Sequence, residues 1–310
     1  MTWHKRGLVL LPPRRAPWAV SHAALPVADA SAERLQVYFS PRDNRGRAHI
    51  ARAQLDLDAP HAGRAEAIEV LAPGAPGAFD EAGATVSCLV IAGDLQVLYY
   101  TGWTIPAERP FMLQVGSARS TDGGLTFHRT STLPLFEADA VDRHLTASPF
   151  VMLEDGAWRM WYVSGTGWRD DGQPCYHIKY AESTDGVHWQ RNGLVCIDYE
   201  DPSEHAISRP SVIRDADGYR MWFASRGTRY RVRYAESKDG LTWQRQSEPG
   251  GVTTSETGWD SGMVAYPHVF DRGSQRMMLY NGNDYGKTGI GLAVTDGPAL
   301  GRQHHPLGDP

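Results

Sequence analysis

The sequence repeats the stretch Ser117-Ala118-Arg119-Ser120-Thr121-Asp122-Gly123 as Tyr180-Ala181-Glu182-Ser183-Thr184-Asp185-Gly186 and as Tyr234-Ala235-Glu236-Ser237-Lys238-Asp239-Gly240. An aromatic residue follows each copy, as Phe127, Trp189 and Trp243. The Asp-Gly pair predicts a tight turn, because glycine tolerates positive φ and the aspartate side chain bonds its own backbone. We expect these turns to lie far from the centre of the molecule and the aromatic residues to cover the joints between neighbouring sheets. None of the three aspartates is therefore a candidate catalytic residue.

A second unit recurs upstream of these turns, consisting of an apolar segment, a turn and an aromatic-rich strand. Its five copies span residues 23–39, 86–100, 148–162, 209–223 and 266–280. The Asp-Gly pairs are 63 and 54 residues apart, near the period of about 40–50 residues typical of a four-stranded propeller blade. The runs are rich in β-branched and aromatic residues, and no long helical periodicity interrupts them.

The repeat predicts an all-β fold, a five-bladed β-propeller. We place the blades at about 18–58, 77–130, 143–192, 204–247 and 258–297, within a single domain of residues 1–310. An unclosed propeller would expose sheet edges, so we expect the N-terminal segment around Leu8-Val9-Leu10 to help close the ring.

Composition narrows the function classes. The 310 residues are 41% hydrophobic and 22% charged, with a formal net charge of −5 and a pI near 6.2. A globular protein without a basic stripe is not expected to bind nucleic acid.

The apolar run Gly7–Leu11 ends at Pro12-Pro13 and is too short for a signal peptide or a membrane span. The sequence therefore predicts a cytoplasmic protein without a membrane partner. Cys88, Cys175 and Cys196 fit reduced thiols better than a disulfide framework or zinc site. The sequence does not predict the oligomeric state.

The innermost strands of a propeller line its axis, so residues just before and within those strands should meet in one pocket. These entrances bring together acidic, basic and aromatic residues, a composition typical of a sugar site. They are Ser21-His22, Asp80-Glu81, Arg143-His144 with Thr146, Glu204-His205 with Arg209, and Trp259-Asp260 with Tyr266.

The five blades and the repeated Tyr-Ala-Glu-Ser-x-Asp-Gly-x-x-Trp element resemble the propellers of glycoside hydrolase families 43, 32 and 68. A narrower resemblance, over about 280 residues, is to bacterial glycosidase-like propellers often found among polysaccharide-biosynthesis genes. It lies in segments 18–22, 38–43, 77–80, 204–210 and 280–286. The resemblance implies a sugar or sugar-conjugate ligand and a glycosidase reaction.

Families 43 and 32 place an acid on the first blade, a second acid near the third and a glutamate general acid near the fourth. This sequence departs from them, because its first entrance offers only Ser21 and His22. Glycoside hydrolysis needs two carboxylates that flank the bond. We therefore predict Glu204 as general acid, its pKa raised by apolar neighbours, with Asp80 as base and Asp260 as a third carboxylate that tunes the pair or binds a hydroxyl.

Further residues are predicted to bind the ligand. They are His22, Arg42, Asp43, Trp103, Ser148, Arg209, Arg226, Tyr266 and Asn283. Arg42 and Asp43 could alternatively form an ion pair, whereas Arg42, Arg209 and Arg226 could clamp a carboxylate or phosphate of the ligand. No cofactor is predicted; an axial metal ion held by His22, His144 and His205 is a less favoured alternative.

Three rival functions remain open from the sequence. The stretch Ser120–Phe127 fits the Asp-box turn of sialidase-like propellers, whose sites combine an arginine triad with a Tyr–Glu pair. The missing first-blade acid favours a carbohydrate-binding propeller without catalysis. A phosphorylase or glycosyl-transferring propeller would use arginine and histidine to bind phosphate.

Overall fold

The computed structural model describes residues 1–14, 16–57, 63, 66–247 and 250–298. Residue 58, at the predicted end of the first blade, and residues 299–310, at the end of the predicted domain, lie outside the described residues. The described chain is all-β, with twenty strands and a short 3-10 turn at Asn283–Gly286. No helix in this part of the chain has the length and apolar character needed to cross a membrane.

Strand β1 (Trp3–Leu10) opens the chain, and five groups of strands follow. The first comprises β2 (Ser21–Asp29), β3 (Gln36–Arg42), β4 (Ile50–Gln54) and β5 (Ala67–Leu71). The second comprises β6 (Gly83–Ala92), β7 (Leu95–Thr104), β8 (Met112–Ser120) and β9 (His128–Arg129). The third comprises β10 (Thr146–Glu154), β11 (Ala157–Trp168), β12 (Pro174–Ser183) and β13 (Val195–Ile197). The fourth comprises β14 (Ala206–Asp215), β15 (Gly218–Arg226), β16 (Tyr230–Ser237) and β17 (Trp243–Arg245). The last comprises β18 (Ala265–Arg272), β19 (Gln275–Asn281) and β20 (Ile290–Pro298).

Each group is an antiparallel unit in which consecutive strands pair. The third and fourth units share one eight-stranded sheet only because a single parallel bridge joins Tyr176 to Ala206. The first strands of the units, β2, β6, β10, β14 and β18, contact one another in that order, and β18 contacts β2. The units therefore surround a common axis.

Strand β1 completes the fifth unit by pairing antiparallel with β20, from Trp3 opposite Thr295 to Leu10 opposite Ile290. The Trp3 indole also donates a 2.7 Å hydrogen bond to the Gly250 carbonyl and packs edge-on against Trp222 at 5.9 Å. This pairing of the first described strand with the last agrees with the expected role of residues around Leu8-Val9-Leu10 in closing the ring, which stays a prediction.

The Asp-Gly turns have the predicted structure. In the Asp185 turn, Oδ1 accepts hydrogen bonds from the Ser183 hydroxyl and the backbone N–H groups of Val187 and His188. Asp122 and Asp239 accept the equivalent bonds. All three Asp side chains lie among exposed turn residues and contribute nothing to the axial cavity described below.

The aromatic residues that follow these turns pack across the joints between units, as predicted. Phe127 contacts Tyr38 at 5.9 Å, Trp189 contacts Tyr99 at 6.0 Å and Trp243 contacts Trp161 at 6.2 Å, all nearly perpendicular. Such edge-to-face pairs add to the burial of apolar surface that holds neighbouring sheets together. The first unit differs from its predicted bounds, because its fourth strand β5 begins at Ala67, after a stretch too irregular in sequence to reveal a strand.

Candidate ligand site at the axis

The innermost strands bend where they approach the axis. Leu25, Ser148, Arg209 and Tyr266 have φ between 45° and 57°, and each precedes a proline. A residue other than glycine rarely adopts this left-handed conformation, which costs about 1–2 kcal/mol per residue. The strand register shifts at each of these positions, and β6 carries a comparable shift between Val86 and Cys88. Such bulges redirect side chains, here toward the centre of the ring.

A cavity of about 100 Å³ lies at this point and receives residues from all five units. Its aromatic lining consists of Trp103, Phe111, Tyr176, Tyr230 and Tyr266. Its hydroxyl lining consists of Thr85, Thr101, Ser148 and Ser208. Leu25, Leu113, Ala147 and Val163 complete the wall. Aromatic faces and hydroxyl groups can contact, respectively, the C–H face and the hydroxyl groups of a sugar ring.

Two aromatic groups form opposite parts of this lining. Trp103 donates a 3.1 Å hydrogen bond from its indole to the Thr85 hydroxyl and packs against Phe111 at 5.2 Å. The hydroxyls of Tyr176 and Tyr230 hydrogen-bond each other, and Tyr266 packs against Tyr230 at 5.8 Å and against Tyr285 at 6.3 Å. Burial raises the pKa of Tyr176 and Tyr266 well above the ordinary value, so both phenols stay protonated at neutral pH.

The three arginines predicted to bind the ligand interact electrostatically with Tyr266. The charges of Arg42 and Arg226 both act on the Tyr266 phenol, opposing the rise in its pKa that burial causes. Tyr266 in turn acts electrostatically on Arg209, which is buried. Arg209 donates to the carbonyls of Val86 at 2.8 Å, Leu25 at 3.1 Å and Pro26 at 3.0 Å, bridging the first and second units from the fourth.

His22 lies in the same neighbourhood, and its φ of 61° is also left-handed. Its Nδ1 hydrogen-bonds the Ser21 hydroxyl at 2.8 Å. Burial, followed by the charges of Arg42 and Lys287, lowers the pKa of His22 to about 4, although Asp284 acts in the opposite direction. The imidazole is therefore neutral at pH 7. Within the described ranges, no three His, Cys, Asp or Glu side chains cluster closely enough to hold a metal ion.

Asp80 does not reach the cavity. Its carboxylate is buried and accepts hydrogen bonds from Tyr100 Oη at 3.1 Å and Arg129 Nε at 2.8 Å, within its own unit. A Cβ atom at Gly74 would lie 2.0 Å from its other oxygen, so that side is closed as well. The carboxylate is fully buried, so a sugar in the cavity does not contact it, although its Oδ1 has no hydrogen-bond partner among the described residues.

Glu204 lies in an ion pair with Arg245, which donates to both carboxylate oxygens at 2.9 and 2.8 Å, and the Ser225 hydroxyl donates to it too. Burial alone would raise the pKa of Glu204, but the Arg245 hydrogen bonds, the Glu200 backbone N–H and the Ser225 hydroxyl outweigh burial and lower it. This is the opposite of the raised pKa that we predicted for a general acid. Glu204 lines a separate open pocket of about 310 Å³ that shares no residue with the axial cavity.

Asp260 follows the same pattern, accepting from Tyr280 Oη at 3.1 Å and Lys5 Nζ at 2.6 Å. The third unit has an equivalent that the sequence analysis missed, Asp142, which accepts from Tyr162 Oη at 2.9 Å and Arg191 Nη1 at 2.5 Å. Four units thus contain a carboxylate before the inner strand that pairs with a cation on or beside the outer strand. The structure gives these carboxylates a fold-stabilising contact, and we no longer propose Asp80, Glu204 or Asp260 as catalytic.

Two more predicted ligand residues have structural contacts instead. Asp43 accepts from the backbone N–H groups of Arg45 and Arg47 and from Arg47 Nε, so the predicted alternative pairing with Arg42 does not form. Asn283 accepts from the backbone of Gly262 and Met263 and donates to the Gly258 carbonyl, which holds the loop before β18. Neither side chain lines the axial cavity.

The structure therefore divides the predicted site residues. Trp103, Ser148 and Tyr266 line the cavity, and Arg42, Arg209, Arg226 and His22 surround Tyr266 or its neighbours. The polar and aromatic lining residues that were missed are Thr85, Thr101, Phe111, Tyr176, Ser208 and Tyr230. The residue before each inner-strand proline was a usable signal, since the bends at Leu25, Ser148 and Tyr266 all reach the cavity.

Comparison with known proteins places the chain in a family. Two Mycobacterium tuberculosis proteins, Uncharacterized protein Rv1502 and Uncharacterized protein MT1551, are each 41% identical to it over 305 residues, covering 96% of this chain and 100% of the relative. The chain belongs to their family. No family model matches the sequence.

Solved structures show the fold that this family shares. A glycoside hydrolase aligns with a TM-score of 0.72 at 14% identity, covering 98% of this chain and 95% of that one. A thermostable family-43 glycoside hydrolase aligns with a TM-score of 0.67 at 16% identity, covering 93% and 97%. A sucrose-6-phosphate hydrolase from Lactobacillus gasseri aligns with a TM-score of 0.61 at 14% identity, covering 91% and 61%. The chain therefore has a glycosidase-like β fold.

Proposed function

We propose that this chain is a five-bladed propeller whose axial cavity binds a sugar or sugar conjugate, without cleaving it by the two-carboxylate route. The five four-stranded units and the cyclic contacts of their inner strands support the blade count. The observation that carries the function is the cavity itself, in which five aromatic residues and four serine or threonine hydroxyl groups converge from four units. The links to polysaccharide biosynthesis and to the cytoplasm stay predictions.

The absence of hydrolysis follows from what occupies the inner strands. The glycosidase resemblance implies acids on the first, third and fourth blades. The first entrance offers only Ser21 and His22, whereas Asp142 of the third unit is bound by Arg191 and Glu204 of the fourth by Arg245. Neither carboxylate is free to exchange a proton with a ligand in the axial cavity. No carboxylate of the described chain lines the cavity.

The sialidase-like alternative gains one feature and lacks another. Arg42, Arg209 and Arg226 do interact electrostatically with a tyrosine, Tyr266. A tyrosine nucleophile needs a neighbouring carboxylate to take its proton, and no described glutamate hydrogen-bonds Tyr266. The geometry therefore favours binding over this chemistry.

Calorimetric titration with a panel of mono- and oligosaccharides tests the proposal. Trp103→Leu should weaken binding at least about tenfold because it removes an aromatic face of the cavity. Trp158→Leu is the matched control, since Trp158 is also half-buried but lies at a joint between units. Equal losses in both variants would show that the effect is general destabilisation and would contradict the proposal.

Turnover of activated aryl glycosides tests the second part of the proposal, that the chain does not cleave its ligand by the two-carboxylate route. We expect the same negligible rate for the wild type, Asp80→Asn, Glu204→Gln and Asp260→Asn. A measurable rate that one of these substitutions abolishes in a folded protein would contradict the proposal and support the predicted hydrolase.

A further inference from the structure

The surroundings of the axial cavity contain positive charge that the fold does not neutralise. Arg209 and Arg276 are the informative pair, because both guanidinium groups are buried. Arg276 binds two carboxylates, with Nη2 at 2.7 Å from Asp215 and Nε at 2.8 Å from Asp271. Arg209 has only backbone carbonyls as acceptors, and no described carboxylate pairs with it. Burying an unpaired cation costs several kcal/mol in a protein interior, so this arrangement calls for a reason.

A second arginine beside the cavity is also unneutralised. The Arg226 guanidinium lies 5.6 Å from the centre of the Tyr230 ring, which lines the cavity. Its buried Nε has no hydrogen-bond acceptor, and no described carboxylate forms an ion pair with it. By contrast, Arg129, Arg191 and Arg245 each bind the carboxylate of their own unit.

The titratable groups around the cavity report the same excess of positive charge. Besides burial, the charges of Arg42 and Lys287 disfavour protonation of His22, and only Asp284 opposes them. His205 lies near Arg169 and Arg226, with Asp171 as the opposing charge. A buried donor without an acceptor, the Trp168 indole N–H, lies nearby, since Trp168 packs 5.6 Å from the cavity residue Phe111.

Resting on the proposed function, we infer that the ligand of the axial cavity is an acidic sugar, one that carries a carboxylate or a phosphate group close to Arg226. An anion supplies the counter-charge that both Arg226 and Arg209 lack within the described chain. The aromatic and hydroxyl lining contacts the sugar ring at the same time. Charge-assisted hydrogen bonds from arginine to such groups are short, directional and stronger than neutral ones.

The test compares matched ligands in calorimetric titrations at low salt: glucose with glucuronate and glucose 6-phosphate, and galactose with galacturonate. We expect the acidic member of at least one set to bind at least about tenfold more tightly than its neutral partner, as a charge-assisted hydrogen bond predicts. This preference should decrease as salt is raised. Whether the carboxylate or the phosphate is preferred identifies the source of the charge.

Arg226→Gln should bring the acidic and neutral ligands to within about threefold of each other while neutral binding persists. Arg214→Gln is the matched control, because Arg214 also stacks on a tyrosine, Tyr219, at 4.4 Å but lies away from the cavity. Equal binding of neutral and acidic sugars by the wild type overturns this inference and leaves the proposed function standing. Binding of neither kind overturns the proposed function and this inference with it. Inorganic phosphate that binds as tightly as the sugar phosphate also overturns the inference that the ligand is an acidic sugar.

Discussion

Tyr100 donates a 3.1 Å hydrogen bond to the carboxylate of Asp80, twenty residues before it in the chain. The same twenty-residue spacing joins Tyr162 to Asp142 and Tyr280 to Asp260. A contact that recurs at one spacing in three units belongs to the repeat.

Asp80→Asn should lower the free energy of unfolding by about 3 kcal/mol, the lower end of the range for a broken buried ion pair. The lower end applies because the Arg129 side chain is 25% exposed and water can partly solvate it. Urea unfolding measures the loss. Glu182→Gln is the control, because it also replaces a carboxylate with an amide but at an exposed position. Unchanged stability would mean that the carboxylate is not part of the framework.

Glu204→Gln should make stability less dependent on acid. Because the pKa of Glu204 is lowered in the folded protein, its contribution is present above the unfolded pKa, about 4.3. That contribution is lost as pH falls through the lower folded pKa. We therefore expect the wild type to lose its advantage over the variant between about pH 5 and pH 2. Parallel urea midpoints for the two proteins across this range would contradict the assignment.

Arg42→Gln should raise the pKa of His22 above its value of about 4 in the wild type, because it removes the second cause of the depression after burial. Two-dimensional NMR of the imidazole resonances during an acid titration measures this change. Arg214→Gln serves again as the control. An unaltered His22 titration in Arg42→Gln would show that Arg42 lies too far away to act. It would also weaken the inference that positive charge acts on Tyr266.

Lys5→Gln should destabilise the protein more than Lys238→Gln. Lys5 Nζ lies 2.6 Å from the buried Asp260 carboxylate, whereas exposed Lys238 only donates to a backbone carbonyl, that of Asp217. Urea unfolding of the two variants measures the difference.

Removing residues 1–10 altogether should expose the edge of β20 and cause aggregation, measured by size-exclusion chromatography. A monomeric, cooperatively unfolding truncation would show that the ring does not need its N-terminal strand.

The fold could be predicted because its signals are local. Each Asp-Gly turn and the aromatic residue that follows it lie within a few residues, so Asp185 and Trp189 identify a hairpin and a joint without knowledge of the rest. The N-terminal closure followed from the need to cover sheet edges. The first unit was misplaced at its end because β5 lacks such a turn.

The candidate site was harder to predict than the fold, because the residues that pair with a carboxylate are remote from it in sequence. Asp80 and Arg129 are 49 residues apart, and Asp260 and Lys5 are 255 apart. An entrance carboxylate can turn toward the axis or toward its own outer strand, and residue type does not distinguish the two. Repetition was the overlooked guide, because a residue type found at equivalent positions in several units serves the shared architecture more often than a site that exists once.

The pairing of β1 with β20 also sets the order of events during synthesis. Among the described strands, the ribosome makes β1 before and β20 after all the others, so the fifth unit cannot be completed until about residue 298 has emerged. At the usual elongation rate of about 5–20 residues per second, β1 waits roughly 15–60 seconds for its partner. During that time the Trp3 side chain is without Trp222 for most of the wait, and Lys5 is without Asp260. The nascent chain therefore passes through an open arc of sheets, and this is the stage at which a chaperone would have most to bind.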